Sequence, residues 1–144
     1  MTLSLSPNLM VSDLQASLAF YVDGIGGQVA FTLDAEQNAD MSGGIIDDAV
    51  FASLRVGSSE MMLQQKSSLM ADVPGAFPED VFPGGTISVY FRVDDVAAVL
   101  GRLGDIEVVK TLDTTWYGMR EIWLRDPDGY LVAIGAPDGD APEV

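Results

Sequence analysis

The sequence predicts an α+β domain built from two βαβββ repeats whose mixed sheets curl around a shared cavity. Three observations predict it. A short motif recurs, with Val11, Asp13, Ala16 and Leu18 matched by Val93, Asp95, Ala98 and Leu100, 82 residues further on. Each copy joins the end of a strand-like run to a helix-period pattern. Three more strand-like segments follow each helix. One such unit leaves a sheet face uncovered, so two units together imply a site between their sheets.

In the first unit, Ser12 and Gln15 form a capping-box pattern, S-x-x-Q, which starts a helix. Leu14, Leu18 and Tyr21 fall on one face of it, and Gly24, Gly26 and Gly27 stop it. Strands are predicted over residues 28–33, 49–56 and 61–65, with a long polar loop over 34–48. In the second unit Asp94 or Asp95 caps the helix, and Val96, Val99, Leu100 and Leu103 mark its buried face. Gly104 ends it, and strands follow over 106–111, 120–125 and 130–134. Asp126-Pro127-Asp128-Gly129 suits a type I turn between the last two strands.

The organisation is thus one domain over residues 1–144, with unit one over about 3–65 and unit two over about 86–135. Residues 66–85 form a loop-like linker punctuated by Pro74, Pro78, Pro83 and Gly84-Gly85, and 136–144 an acidic tail expected to fray.

Formal net charge is -15, with 22 acids against 7 bases. Such a surface repels phosphate and anionic membrane, which argues against nucleic acid as a partner. The same excess of carboxylate also serves solubility. There is no cysteine and no histidine, so disulfides, thiolate sites and the commonest metal ligand and general base are all excluded. The first residues lack a basic segment followed by an apolar core, and no apolar run approaches the roughly 18 residues of a membrane span. A cytoplasmic location is the expectation.

Three stretches carry a family resemblance. They are Val11-Ser12-Asp13-Leu14 with Ser17, Phe20-Tyr21 and Gly26; Val93-Asp94-Asp95-Val96; and Tyr117-Gly118-Met119-Arg120-Glu121 with Asp126-Pro127-Asp128-Gly129-Tyr130. In order and spacing they resemble the vicinal-oxygen-chelate superfamily of glyoxalases, bleomycin-resistance proteins and extradiol dioxygenases. The resemblance implies a divalent metal held by one side chain from each of four strands. The family pattern places these seven residues before each helix-opening Asp, on the final strand of the first unit, and four residues after the Gly of the DPDG turn. Here those positions read Ser6, Ser88, Met62 and Ala133. Ala and Met offer no hard donor, and a neutral hydroxyl is a weak one. Met61 and Leu63 bring no rescue, and Glu60 and Gln64 bring only one or two oxygens, leaving a hard ion held by carboxylates and waters as the residual option. The expectation is therefore no metal and no cofactor, closest in character to the metal-free bleomycin-resistance branch.

Strand alternation extends the cavity lining. Ser88 brings Tyr90 and Arg92, Ala133 brings Leu131, and Met62 brings Glu60 and Gln64. Trp116 and Tyr117 fall at a rim just before the hairpin. Trp123 has a face that the sequence does not assign, and any of these aromatics can instead fill the core. Arg120 and Glu121 are adjacent and point to opposite faces, each to pair with a neighbouring strand or subunit or to meet ligand. Met61, Met62 and Met70 offer an adaptable apolar surface, or ordinary core. The candidate ligand-binding set is Ser6, Met62, Ser88, Tyr90, Trp116, Leu131 and Ala133.

Two functions follow. One is a metal-free protein that binds a small, aromatic or cationic ligand in an apolar cavity, as a homodimer. The other is a superfamily lyase, isomerase or dioxygenase with a displaced metal site or with metal-free acid–base chemistry, for which Glu60, Glu121, Tyr90 and Tyr117 are the candidates.

Overall fold

In the computed structural model, which describes residues 2–139, the chain divides between Pro83 and Gly84 into two units. The first runs β1 (Asn8–Val11), α1 (Leu14–Leu18), a π-helical segment (Ala19–Gly24), β2 (Gln28–Leu33), β3 (Ala39–Asp40), β4 (Phe51–Val56), β5 (Ser59–Gln65) and α2 (Lys66–Asp72). The second runs β6 (Ser88–Arg92), α3 (Val96–Leu103), β7 (Val108–Thr114), β8 (Met119–Arg125) and β9 (Leu131–Pro137). The sheets are ordered β1-β5-β4-β2-β3 and β6-β9-β8-β7. In each, the first strand lies parallel to the last strand of its repeat, and the other neighbours are antiparallel. Both sheets are mixed and the class is α+β; the second unit has the predicted βαβββ order, and the first has it with the two-residue β3 inserted and α2 added at its end.

The aspartate of the repeated motif is the helix cap in both units. Asp13 has extended backbone, and its Oδ1 accepts from the amides of Gln15 and Ala16 at 3.0 and 3.4 Å. Asp95 accepts likewise from Ala98 at 3.1 Å. The capping box expected at Ser12 is displaced by one residue, because α1 opens at Leu14 and a cap must sit directly before the first helical turn. Past Leu18 the helix widens, and the Ile25 amide bonds the carbonyl five residues back, on Phe20, at 2.9 Å.

Three further expectations change. Residues 66–72 form α2, not loop, since the breakers Pro74, Pro78 and Pro83 all lie beyond its end. The loop over 34–48 contains β3, which pairs with Thr32 and Leu33. The acidic tail begins later than expected, because Ala136 and Pro137 complete β9 opposite Arg120 and Met119. Residues 140–144 of that tail lie outside the described residues.

Each sheet buries one face under its helix. In the first unit Leu9, Val11, Leu54, Met61 and Leu63 are buried together with Leu14 and Leu18 of α1. The Leu14 amide also donates to Gln65 on that face. In the second, Phe91, Ile122, Leu124, Val132 and Ile134 are buried, with Val96 and Val99 of α3. Burying each such side chain contributes about 1.5–3 kcal/mol. The Asp126–Gly129 turn closes as predicted, with the Gly129 amide on the Asp126 carbonyl at 3.0 Å and Gly129 at φ 89°. Asp126 Oδ1 also accepts from the Asp128 and Tyr130 amides. No described helix is long and apolar enough to cross a membrane.

Candidate functional site

In the second unit, register places Tyr90, Ala133 and Trp123 in one row across β6, β9 and β8. The next row is Arg92, Gly135 and Glu121, and Ser88, Leu131 and Arg125 form the row before. This assigns the faces that the sequence left open. Glu121 and Trp123 share the face of Tyr90. Arg120 is in register with Ala136 on the helix side, where a cleft of about 270 Å3 also holds Asp94 and Asp95.

Glu121 is the centre of this face. It is only 3 % exposed. Its Oε1 accepts from the Tyr117 hydroxyl at 2.6 Å and from Trp123 Nε1 at 3.0 Å, and its Oε2 accepts from the Tyr90 hydroxyl at 2.7 Å. Burial alone would raise the carboxyl, but the hydrogen bonds from Tyr117, Tyr90 and Trp123 outweigh it and hold Glu121 below the usual carboxylate range. Tyr90 is pushed above the usual phenol range by burial and by its bond to Glu121. Tyr117 is raised chiefly by the same carboxylate. The cluster is therefore one negative charge shared among neutral donors.

Gly135 makes the cluster possible. A Cβ at that position would overlap the Tyr90 hydroxyl, and would lie 3.0 Å from Cζ. The Tyr90 ring thus crosses β9 over a glycine to reach β8. Tyr90 and Trp123 meet edge to face at 6.3 Å, and the Arg92 guanidinium stands 5.2 Å from the Tyr90 ring centroid.

The other predicted residues are distributed as follows. Ala133 is 0 % exposed, with Tyr90 and Trp123 on either side of it in the row. Leu131 is half-buried, and Ser88 is exposed at the start of β6. Trp116 is 92 % exposed between β7 and β8, its ring edge-on to Tyr117 at 5.3 Å. Met62 lies half-buried on the open face of the first sheet. Ser6 lies outside β1, which begins two residues later, and Asn8 is the residue in register with Met62. The expected strand position of Ser6 is thus corrected: Pro7 next to it has no amide proton for a ladder, and only its carbonyl joins, accepting from Met62. Glu60 sits on β5 opposite Arg55. Of the four acid–base candidates, Tyr90, Tyr117 and Glu121 come together.

The residues do not fit a transition metal. Two hydroxyls, a thioether and a buried methyl group make no N/S/carboxylate donor set. Among the described residues no three Asp or Glu side chains gather closely enough to hold an ion.

Sequence reasoning missed Trp123 as a donor and Gly135 as the gap. Both had a signal, because Trp123 is two residues from Glu121 on one strand and Gly135 is two residues from Ala133 on another.

The family model for the Glyoxalase/Bleomycin resistance protein/Dioxygenase superfamily matches residues 5–134. No curated protein matches the sequence. Among solved structures, a protein of unknown function from Agrobacterium tumefaciens str. C58 is similar at TM-score 0.70 and 20% identity, over 94% of both chains. A glyoxalase-related enzyme from Fulvimarina pelagi gives TM-score 0.68 at 18% identity, over 94% of this chain and 88% of that one. TioX from Micromonospora sp. ML1 gives 0.65 at 18% identity, over 94% and 99%. At these identities the likeness speaks for the fold.

Proposed function

Because this chain belongs to the glyoxalase/bleomycin resistance protein/dioxygenase superfamily, we propose that it binds a small aromatic or cationic molecule without using a metal. The observation that carries this reading is the buried Glu121 carboxylate beneath Tyr90, Tyr117 and Trp123. A charge withdrawn from water and surrounded by aromatic rings favours a cation with an apolar body. The phenol oxygens, whose protons go to Glu121, keep lone pairs for N–H donors of a ligand. Leu131 and Ser88 extend the face, and Trp116 adds a ring beside Tyr117.

Metal-free acid–base catalysis at the same cluster is the weaker reading. An efficient base has its pKa near the working pH. Glu121 is held below the carboxylate range and Tyr90 above the phenol range, so both move away from neutrality. The face is built to keep a charge in place.

A cytoplasmic homodimer completes the reading. β1 and β6 are end strands of their sheets, and end strands suit pairing with a second copy, while a net charge of -15 steers cations toward the protein and nucleic acid away from it. Light scattering at micromolar concentration should give twice the chain mass, and monomer mass alone removes the dimer.

The binding itself is tested by titrating acridinium, benzamidinium and phenylalkylammonium ions against tryptophan fluorescence. At least one should quench saturably through Trp123, and Glu121→Gln should weaken it. A flat response across the panel defeats the proposal.

A further inference from the structure

The scarce positive charge of this chain is not spread evenly. The sequence has 7 bases against 22 acids. Register puts three of those bases, Arg92, Lys110 and Arg125, on the strand face that carries Tyr90, Trp123 and Glu121. The acids that the strands place there are Glu121 and Asp113, which stand opposite one another on β8 and β7. The face thus holds three bases to two acids in a chain where acids outnumber bases threefold.

The three bases differ in what they already do. Arg125 braces its own turn, with Nη1 donating to the Gly129 carbonyl at 3.1 Å. Lys110 lies in register with Trp123, and its charge helps to hold the Glu121 carboxyl low. Arg92 is exposed, and its guanidinium stands 5.2 Å from the centroid of the Tyr90 ring. A cation–π contact of this kind positions the guanidinium and consumes none of its five N–H donors.

Tyr90 therefore has a charge at each end. Arg92 sits against its ring, and its hydroxyl donates to Glu121 Oε2 at 2.7 Å. Arg92 and Glu121 belong to one row, with Gly135 between them, so their backbones lie two strand spacings apart, about 10 Å. A molecule that spans from the guanidinium to the phenol oxygens has to be about as long as a benzene ring with its two para substituents.

We propose that Arg92 is a specificity-determining residue of this face, and that the ligand is a zwitterion, an aromatic ammonium or amidinium that also carries a carboxylate. The inference rests on the reading of the face as a site for an aromatic cation and adds the second charge. The cationic end meets the Tyr90 and Tyr117 oxygens above Glu121. The carboxylate takes the planar fork of Arg92, whose paired donors match its two oxygens. The acidic surface of the chain favours this class over a simple anion, because a zwitterion has no net charge to be repelled on approach.

The test is a calorimetric titration of the full chain at pH 7 with 4-(aminomethyl)benzoate, with benzylammonium, which lacks the carboxylate, and with benzoate, which lacks the cation. The zwitterion should bind several-fold more tightly than either. Arg92→Gln should bring it down to the level of benzylammonium while leaving benzylammonium itself as tight or tighter, since a like charge has gone. A merely structural arginine would weaken both ligands alike, and that result overturns the inference. So does a carboxylate that adds nothing to the affinity of benzylammonium, in which case the aromatic-cation reading stands without it. Benzoate binding as tightly as the zwitterion would overturn both, because the cation would then be idle. Absence of binding by all three also overturns the inference, and the acridinium, benzamidinium and phenylalkylammonium panel then decides the broader reading by itself.

Discussion

Tyr90 on β6 reaches across β9 to Glu121 on β8, and the residue it crosses is Gly135. Any side chain at that point would occupy the space of the phenol. One glycine therefore decides whether the buried carboxylate has two phenol donors or one.

Gly135→Ala should expel the Tyr90 ring from its bond with Glu121. Overpacking of this kind costs about 1–3 kcal/mol. Loss of a hydrogen bond to a charged group, as in Tyr90→Phe, costs about 1.5–3 kcal/mol. The two substitutions strike one contact, so the double variant should lose less than the sum of the single losses by at least about 0.5 kcal/mol. Urea unfolding of the four proteins measures this. Strict additivity would show that the glycine serves something other than the Tyr90 crossing.

Glu121→Gln should reveal a pH-dependent part of stability. The folded carboxyl is held below its usual range. Its contribution is therefore fully present above the unfolded carboxyl value, near 4.3, and is lost as pH falls through the lower folded value. The wild type should exceed the variant by about 1.5–3 kcal/mol at pH 7, and the gap should narrow on acidification. Unfolding midpoints at several pH values follow it. A gap that stays constant down to pH 2 would remove the charge from the explanation.

The fold was legible because its signals are local. Gly26-Gly27 and Asp34 bracket an alternating run, and β2 has the bounds predicted for it. Asp126 to Gly129 specify their own turn. The linker misled because proline and glycine mark where a helix cannot continue, and the run before Pro74 still forms α2. The site was less legible for a different reason. Tyr90 and Glu121 are 31 residues apart, and they meet only because β9 returns between their strands. The candidates Tyr90, Tyr117 and Glu121 could be named from residue chemistry, but their convergence depends on a crossover that no local pattern records. Ala133 illustrates the limit from the other side. Its face follows from alternation, while its full burial follows from the size of neighbours on two other strands.

Elemental analysis of untagged protein should find far less than one zinc, iron, nickel or manganese per chain. The expectation follows from Ser6, Met62, Ser88 and Ala133, whose side chains supply no set of donors for such an ion. Dialysis against a chelator should likewise leave ligand quenching of Trp123 unchanged. About one metal per chain, retained after purification, would place the ligands elsewhere and reopen metal-assisted chemistry.

The last prediction separates the rim from the core. Trp116 is 92 % exposed, so Trp116→Ala should change unfolding stability by no more than about 0.5 kcal/mol, as surface substitutions do. Its ring stands edge-on to Tyr117, whose hydroxyl is bonded to Glu121. A flat cation held at the carboxylate can therefore meet the indole as well. Aromatic contact of this kind contributes about 0.5–1.5 kcal/mol beyond area burial, so the variant should bind an acridinium ion several-fold more weakly. The charge component is separable, because exposed charges are screened over a Debye length of about 10 Å at 0.1 M salt. Raising salt should weaken the wild type and Trp116→Ala in the same proportion, since the indole carries no charge. Titrations at two salt concentrations, read through Trp123 in the variant, test both halves. Unchanged affinity in Trp116→Ala would take the indole out of the site and leave the Glu121 cluster as its recognising element.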